Sequence, residues 1–381
     1  MFLELTDAQL ALQAELRTYF AGLLTAEDRE AMLTDRHGTV YRDVVRRLGR
    51  DGWLGVGWPV EYGGRGFGDV EQQIFVNEAA RAYVPLPYVT LQTVGPTLMR
   101  YGTDAQRSKF LPGILSGELH FAIGYTEPEA GTDLASLRTT AVRDGDHYLV
   151  NGQKIFTTGA HDADYVWLAA RTDPAAPKHK GISILIVDTT DPGFSWTPII
   201  TCDGAHHVNA TYYSDIRVPA SMLVGEENAG WKLITTQLNH ERVMLGPAGW
   251  IAGLYGRFRD WAVAGGVMDR PDVRRLLGEA YASHRVNELL NWKVASSGAV
   301  AVADASATKV YASERLQYLN RQVEGLIGRY GDPSDPATDE LARWLDLHAK
   351  RNLVLTFGGG VNEVQRELIA TLGLGLPRVP R

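Results

Sequence analysis

The sequence predicts an α+β fold in three consecutive segments, and three observations carry that expectation. Helical periodicity fills residues 1–118, short runs of strand formers between tight turns fill 119–225, and helical periodicity returns over 226–381. Helices and strands therefore come in blocks rather than in alternation, which argues against a doubly wound sheet and for segregated helical and sheet layers.

In the first block, Thr6 and Gln9 form a capping box, each side chain placed to satisfy the other's free main-chain N–H, ahead of an apolar face at Leu12, Leu16, Tyr19 and Phe20. Similar faces recur over 39–52, 70–83, 89–101 and 104–115, separated by the Gly/Pro-rich stretch 55–68 and by Pro85-Leu86-Pro87. In the middle block, Asp144-Gly145 and Asn151-Gly152 each read as a tight turn between the strand-forming runs 139–143, 147–150 and 155–158. Further strands are expected over 165–171, 182–187, 194–200 and 210–218, punctuated by Pro192, Gly193 and Pro219. The last block reads as helices over 228–259, 271–298, 301–330 and 337–354, with a short one near 361–372. Gly246-Pro247 predicts a kink in the first of these, because proline cannot continue the hydrogen-bond ladder.

The 381 residues are 45% hydrophobic and 22% charged, an ordinary globular balance, and the net charge of −7 lacks the basic face that nucleic acid or an anionic membrane requires. The single cysteine, Cys202, excludes an internal disulfide and fits a reducing compartment. No run approaches a membrane span of ~20 apolar residues, and Glu4, Asp7 and Glu15 interrupt the start, so a cytoplasmic protein is expected. There is no G-x-G-x-x-G, Walker loop, H-E-x-x-H, cysteine pair or G-x-S-x-G. The familiar nucleotide loops, a metal site and a serine hydrolase are thereby disfavoured. The glycine clusters 63–68 and 358–360 read as turns, and His206-His207 as a surface flank.

Two places could carry chemistry. Gly124-Tyr125-Thr126-Glu127-Pro128-Glu129-Ala130-Gly131-Thr132-Asp133 offers hydroxyls and free N–H groups to a planar cofactor or a phosphate, or forms an ordinary acidic turn. Glu241 falls on an apolar stripe with Ile234, Leu238 and Leu245. A carboxylate there must be paired, be neutral or have a job. Burial raises its pKa and makes it a better base toward a carbon acid. A structural ion pair with Arg242 or with another helix fits the residues equally well.

The first segment resembles the T-E-P-x-A-G-S/T-D signature of acyl-CoA dehydrogenases, and Asn151-Gly152-Gln153-Lys154-Ile155-Phe156-Thr157-Thr158-Gly159 resembles their second flavin motif, N-G-x-K-x-W-I-T/S. With Pro59–Gly66 and Glu241-Arg242, the resemblance spans nearly the whole chain. It implies an N-terminal helical domain over 1–118, a middle β-barrel or sheet domain over 119–225, a C-terminal four-helix bundle domain over 226–381, and FAD as cofactor. It further implies that Tyr125 and Thr126 meet the pyrimidine side of the flavin and that Thr132 lies toward the pyrophosphate or the CoA. Phe156 would pack beside the ring where most members carry Trp, and Thr158, next to Thr157, would bond near N5.

Most members of that family carry their base in a Y-E-G-T segment, where this chain reads Phe357-Gly358-Gly359-Gly360-Val361. A minority place the glutamate on an earlier helix just before an arginine, and Glu241-Arg242 matches them. The resemblance thus implies Glu241 as base, Arg242 facing CoA phosphate or tuning Glu241, and the Gly359 N–H as a donor to the thioester carbonyl. Glu363 matches a structural position instead.

Homotetrameric members complete each flavin site with an R-x-x-F-G and a Q-x-x-G-G segment from a neighbouring subunit. Here the corresponding stretches read Trp261-Ala262-Val263-Ala264-Gly265-Gly266-Val267-Met268 and Gly328-Arg329-Tyr330-Gly331-Asp332, and neither has that shape. The resemblance therefore implies a homologous partner chain and a heterotetramer of two copies of each. It is similar to the subunit of bacterial steroid-degrading acyl-CoA dehydrogenases that acts on the three-carbon side chain of a steroid-CoA, with an electron acceptor such as electron-transfer flavoprotein. An acyl-CoA oxidase, or a structural subunit of a dehydrogenase, are the alternatives on the same fold. Glu241 argues against the second, and against a flavin monooxygenase.

Overall fold

A computed structural model describes residues 4–244, 246–297 and 301–378, less the side chains of Thr34 and of 238–244. Helices α1 (Asp7–Leu23), α2 (Ala26–Thr34), α3 (Thr39–Arg50), α4 (Asp69–Arg81), α5 (Gly95–Tyr101) and α6 (Asp104–Ser116) come first. Strands β1 (Phe121–Gly124), β2 (Thr140–Asp144), β3 (His147–Thr158), β4 (Tyr165–Arg171), β5 (Ile182–Asp188), β6 (Phe194–Ile200), β7 (His206–Pro219) and β8 (Leu223–Val224) follow. Helices α7 (Gly230–Met244), α8 (Gly249–Ala264), α9 (Pro271–Ala295), α10 (Val302–Tyr330), α11 (Pro336–Asn352) and α12 (Asn362–Leu368) close the order. The blocks of helix, strand and helix are those the sequence predicts.

Local chemistry accounts for much of this. The capping box forms at α1, with the Gln9 N–H donating to Thr6 Oγ1 at 3.3 Å and the Thr6 N–H to Gln9 Oε1 at 3.0 Å. Asp144-Gly145 makes the expected hairpin between β2 and β3, with Gly145 at φ 61°. Two expectations need correction, and one helix lies where no pattern was read. Helix α2 gave no periodic signal, because it buries Met32 and leaves most of its other side chains near the surface. Asn151-Gly152 is not a turn but part of the continuous strand β3. The register slips by one residue there, β7 carries the extra residue Asp215 at φ 52°, and the Asn151 amide bonds Asp215 at both ends, at 3.0 and 2.9 Å. Gly246-Pro247 does not kink one long helix: α7 stops at Met244 and α8 restarts at Gly249. Two buried amides of α9 stabilise that break. Asn287 and Asn291 donate to the Gly246 carbonyl at 3.0 and 2.9 Å, and Asn291 accepts from the Ala248 N–H at 3.0 Å. They satisfy groups that a continuous helix would have paired internally.

The chain packs as two compact units, residues 1–25, 68–85 and 241–381 in one and 26–67 and 86–240 in the other. In the first, α8, α9, α10 and α11 close a four-helix bundle around Leu254, Phe258, Leu276, Leu316, Leu319 and Leu345. Helices α1 and α4 belong to this unit, joined by the Arg17 guanidinium on both oxygens of Glu78 at 2.7 and 3.0 Å. Helix α4 approaches α8 so closely that a Cβ on Gly249 would sit 1.9 Å from the Asn77 carbonyl, so only glycine fits.

The second unit is one sheet with strand order β6-β7-β3-β2-β4-β5-β8, β1 pairing parallel with β4. Its core gathers Tyr148, Val150, Val166, Leu168, Leu185 and Val187. Helices α2, α3, α5 and α6 belong to it, so the units cut across the segments 1–118, 119–225 and 226–381. Among the described residues no helix is long and apolar enough to cross a membrane.

Beside the sheet, His37, Tyr41 and His120 stack edge-on, with ring centroids 5.5 Å apart at each step. Burial, then the charge of Arg42, pulls His120 from 6.5 down to about 4, and burial with Arg36 takes His37 to about 2. In the unfolded chain both protonate near 6.5, so on acidification the unfolded state binds protons first. The stability these groups hold above pH 6.5 is lost as pH falls toward 4. The urea midpoint is expected to drop between pH 7.5 and pH 5, and the drop to narrow in His120→Gln.

Candidate active site

The loop that leaves β1 is held from beneath by an ion pair. Lys154, on β3, is wholly buried, and its ammonium donates to Glu127 Oε1 at 2.8 Å and to the Tyr125 carbonyl at 3.1 Å. Glu127 also accepts the Arg138 and Thr139 N–H groups, at 2.6 and 2.8 Å. Burial alone would raise the Glu127 carboxyl, but the Lys154 charge and these donors outweigh it and hold it below its ordinary value. Burial is the largest influence on Lys154 and pulls it down to about 8 despite Glu127.

Above this pair the loop is further fixed. The Ile155 N–H donates to the Thr126 carbonyl at 2.8 Å, tying loop to strand. The Tyr125 hydroxyl meets Gln237 Oε1 and accepts from Trp167 Nε1 at 3.2 Å, and Gln237 donates on to Thr97 Oγ1 at 3.0 Å. Both the hydroxyl and the carbonyl of Tyr125 are thus engaged inside the unit. Thr126 is half-buried, whereas Thr132 is exposed beside Asp133, which is bound by Lys178 at 2.8 Å.

A second irregularity aims the other nominated residues. Between Lys154 and Thr157 strand β3 carries one residue more than β7, and Phe156 occupies that bulge at φ 58° with its ring 60% exposed. A left-handed phenylalanine is uncommon and needs a surrounding structure that enforces it. The bulge turns Thr157 inward, 1% exposed, its hydroxyl 3.3 Å from that of Thr211, and leaves Thr158 outward. The result is an exposed aromatic ring and the outward hydroxyl of Thr158 on β3, with the half-buried hydroxyl of Thr126 in the loop after β1. A planar, uncharged isoalloxazine needs that chemistry, an apolar flank with hydrogen-bonding edges, and the donor set fits it.

In the helical unit, Glu241 and Arg242 lie in the last turn of α7, and their side chains are outside the described residues. Gly359 lies in a turn, at φ 67° and followed by Gly360 at φ 92°. The Phe357 and Gly358 N–H groups both donate to the Val354 carbonyl at 2.9 Å. Among the described residues, neither Gly359 nor Gly360 donates a main-chain hydrogen bond. Its N–H is therefore available to an incoming acceptor.

Sequence reasoning missed Lys154, Glu127 and Gln237 as the supports of the loop. The signal for the first two was present, since Lys154 alternates with Ile155 and falls on the core side of β3. No group of three or more His, Cys, Asp or Glu side chains among the described residues could hold a metal.

Three family models match the chain: the N-terminal domain of acyl-CoA dehydrogenase over residues 6–118, the middle domain over 122–215 and the C-terminal domain over 228–373. The acyl-CoA dehydrogenase FadE29 of Mycobacterium tuberculosis is 68% identical over 387 aligned residues, covering all of both chains, and FadE26 of the same organism is 49% identical over 401. Among solved structures, a chain of the Tcur3481-Tcur3483 steroid ACAD superposes with a TM-score of 0.93 at 52% identity, covering all of both chains. A chain of the ChsE4-ChsE5 complex from Mycobacterium tuberculosis superposes at 0.90 with 50% identity, again over both whole chains.

Removing one partner of the buried pair tests its role. Lys154→Met strands the Glu127 carboxylate and is expected to cost about 3–5 kcal/mol in chemical denaturation. The double variant Lys154→Met, Glu127→Gln is expected to recover part of that loss.

Proposed function

The chain belongs to the acyl-CoA dehydrogenase family, and from that premise we propose that it desaturates the side chain of a steroid acyl-CoA with Glu241 as its base. Family members are FAD-dependent and act on a CH–CH bond of an acyl-CoA. The observation that carries the choice of base is a reciprocal one. Glycine stands at 359, where most members have their carboxylate, and a carboxylate stands at 241, followed by an arginine, where a minority have theirs.

The chemistry follows from what each group can do. An α-hydrogen beside a thioester carbonyl becomes acidic when donors are aimed at the oxygen on which charge develops. The Gly359 N–H, unspent in its turn, is the donor this chain offers. Glu241 takes the α-proton, the released electron pair becomes the Cα=Cβ bond, and the β-hydrogen leaves as hydride. Bound FAD supplies the acceptor for that hydride. Phe156 flanks its ring, Thr126 and Thr158 bond its edges with the main chain at Tyr125, and Thr132 lies toward its pyrophosphate or the CoA. Thr157 serves from inside, its hydroxyl pinning the bulge through Thr211. Arg242 faces the CoA phosphate or tunes Glu241.

The steroid reading and the partner reading draw on different supports. The solved relative at 52% identity is a steroid ACAD formed by two differently named chains, and the ChsE4-ChsE5 complex also pairs two. In this chain the stretches that would serve a neighbouring flavin are spent otherwise. Trp261 bonds Thr338 at 3.0 Å, and Arg329 bonds Asp272 at 2.7 Å. We infer a heterotetramer with a homologous partner, a steroid-CoA with a three-carbon side chain as substrate, and an electron acceptor of the electron-transfer flavoprotein class, in the cytoplasm.

Two measurements test this. Glu241→Gln, in the complete complex, is expected to retain its flavin spectrum and its affinity for acyl-CoA while turnover falls by about 10²- to 10⁴-fold; near-normal turnover would sink the assignment. The chain purified alone is expected to be folded and colourless, and to turn yellow only with its partner. A yellow single chain bleached by acyl-CoA would defeat the need for a partner.

A further inference from the structure

The turn at 358–360 combines two features that oppose each other. Three successive glycines have more backbone freedom than any other tripeptide, yet a donor to a developing oxyanion is effective only if it is held in place before the charge appears. The structure resolves the conflict with buried side chains from two helices. Lys309 of α10, with no exposed surface, donates to the Gly360 carbonyl at 3.1 Å, the Thr356 carbonyl at 3.3 Å and Asn362 Oδ1 at 2.6 Å. Gln365 of α12, equally buried, donates to the Gly359 carbonyl at 2.9 Å, and its own oxygen accepts from Ser306 Oγ at 2.7 Å. Gln317 adds a bond to Thr356 Oγ1 at 3.0 Å. Carbonyls on both sides of the Gly359 N–H are tied, and that N–H is left with no protein acceptor among the described residues.

We propose that Lys309 and Gln365 are positioning residues for the dehydrogenation: they lock the carbonyl side of the glycine turn so that the Gly359 N–H stays aimed at the thioester oxygen. The proposal rests on the reading of Gly359 as that donor. Lys309 has a second effect. Its ammonium donates to the Gly360 carbonyl, one residue from the donor, and so brings positive charge to the turn in surroundings that screen it weakly. An ordinary structural lysine would stabilise the bundle without touching catalysis. Its bonds to residues 356, 360 and 362 bear directly on the glycine turn and favour the catalytic alternative.

The experiment uses the flavin-loaded complex with its partner chain and compares Gln365→Ala, Ser306→Ala and Lys309→Met. Turnover is measured with a steroid-CoA bearing a three-carbon side chain. Binding of acetoacetyl-CoA, whose enolate gives a long-wavelength band beside oxidised flavin, is followed against pH. For Gln365→Ala the expected result is kcat down by about 10- to 100-fold, with KM within about threefold, flavin content unchanged and the enolate midpoint moved to higher pH. Ser306→Ala, which leaves the Gln365 amide in place but loosened, is expected to give a smaller change in the same direction, and it decides the matter if the other variants do not fold. Unchanged kcat per bound flavin with an unmoved midpoint overturns the proposal, as does a lowered kcat with an unmoved midpoint. Glu241→Gln, run in parallel, separates the two readings: full turnover there defeats the base assignment, while the midpoint shift in Gln365→Ala still reports the turn.

Discussion

The loop after β1 depends on one ammonium group placed where water cannot reach it. Lys154 carries its charge into the interior of the sheet unit, and no part of its side chain is exposed. Such a charge is tolerated only with a partner, and Glu127 meets it at 2.8 Å while spending its remaining capacity on two main-chain N–H groups. The pair fastens three pieces of chain that are distant in sequence: the loop after β1, the approach to β2 and the middle of β3. Because the same ammonium also holds the Tyr125 carbonyl, the loop has little freedom to drift from the strand that carries Phe156. A flat hydrophobic contact in the same place would allow sliding; a directional, desolvated pair does not.

Where sequence and structure agree, the cause is local; where they part, the cause lies elsewhere in the chain. Thr6 and Gln9 cap α1 with each other, and Asp144-Gly145 turns β2 into β3, because every group needed is within a few residues. Asn151-Gly152 has the same turn chemistry but lies opposite β7, whose Asp215 takes the Asn151 amide and draws it into a strand. Gly246-Pro247 likewise signals an irregularity without its size. The size is fixed by Asn287 and Asn291, about forty residues on, which supply the bonds that let α7 end outright. The two flavin motifs were legible as motifs, but the bulge that exposes Phe156 and hides Thr157 follows from unequal spans of β3 and β7. Pattern reading cannot count residues across a pairing it has not yet placed.

The same logic explains why the segments read from sequence are not the units seen in space. Helices α1 and α4 look, by position, like companions of α2 and α3. The Arg17–Glu78 pair instead ties α1 to α4, and the close approach at Gly249 ties α4 to α8. Local contacts decide this allocation. Glu78 is 4% exposed and needs its arginine, and the Asn77 main-chain carbonyl leaves no room for any side chain at 249.

The proposed placement of the catalytic carboxylate on a helix rather than in the loop would have a structural consequence at the glycine turn. A glutamate at 359 would itself restrict the backbone and discourage the left-handed conformation that Gly359 and Gly360 adopt at φ 67° and 92°. If the base is carried by α7, as proposed, position 359 has only its main chain to contribute, and glycine permits a backbone arrangement that a side chain would oppose. That gain in reach comes with a loss of rigidity, and rigidity is what an oxyanion donor cannot do without. The buried amide of Gln365 and the ammonium of Lys309 restore it from outside the turn, by binding carbonyl oxygens rather than by filling space. A donor held this way keeps its N–H free because its neighbours' oxygens are not, and the division of labour between α7, α10 and α12 is then a single solution to a single constraint.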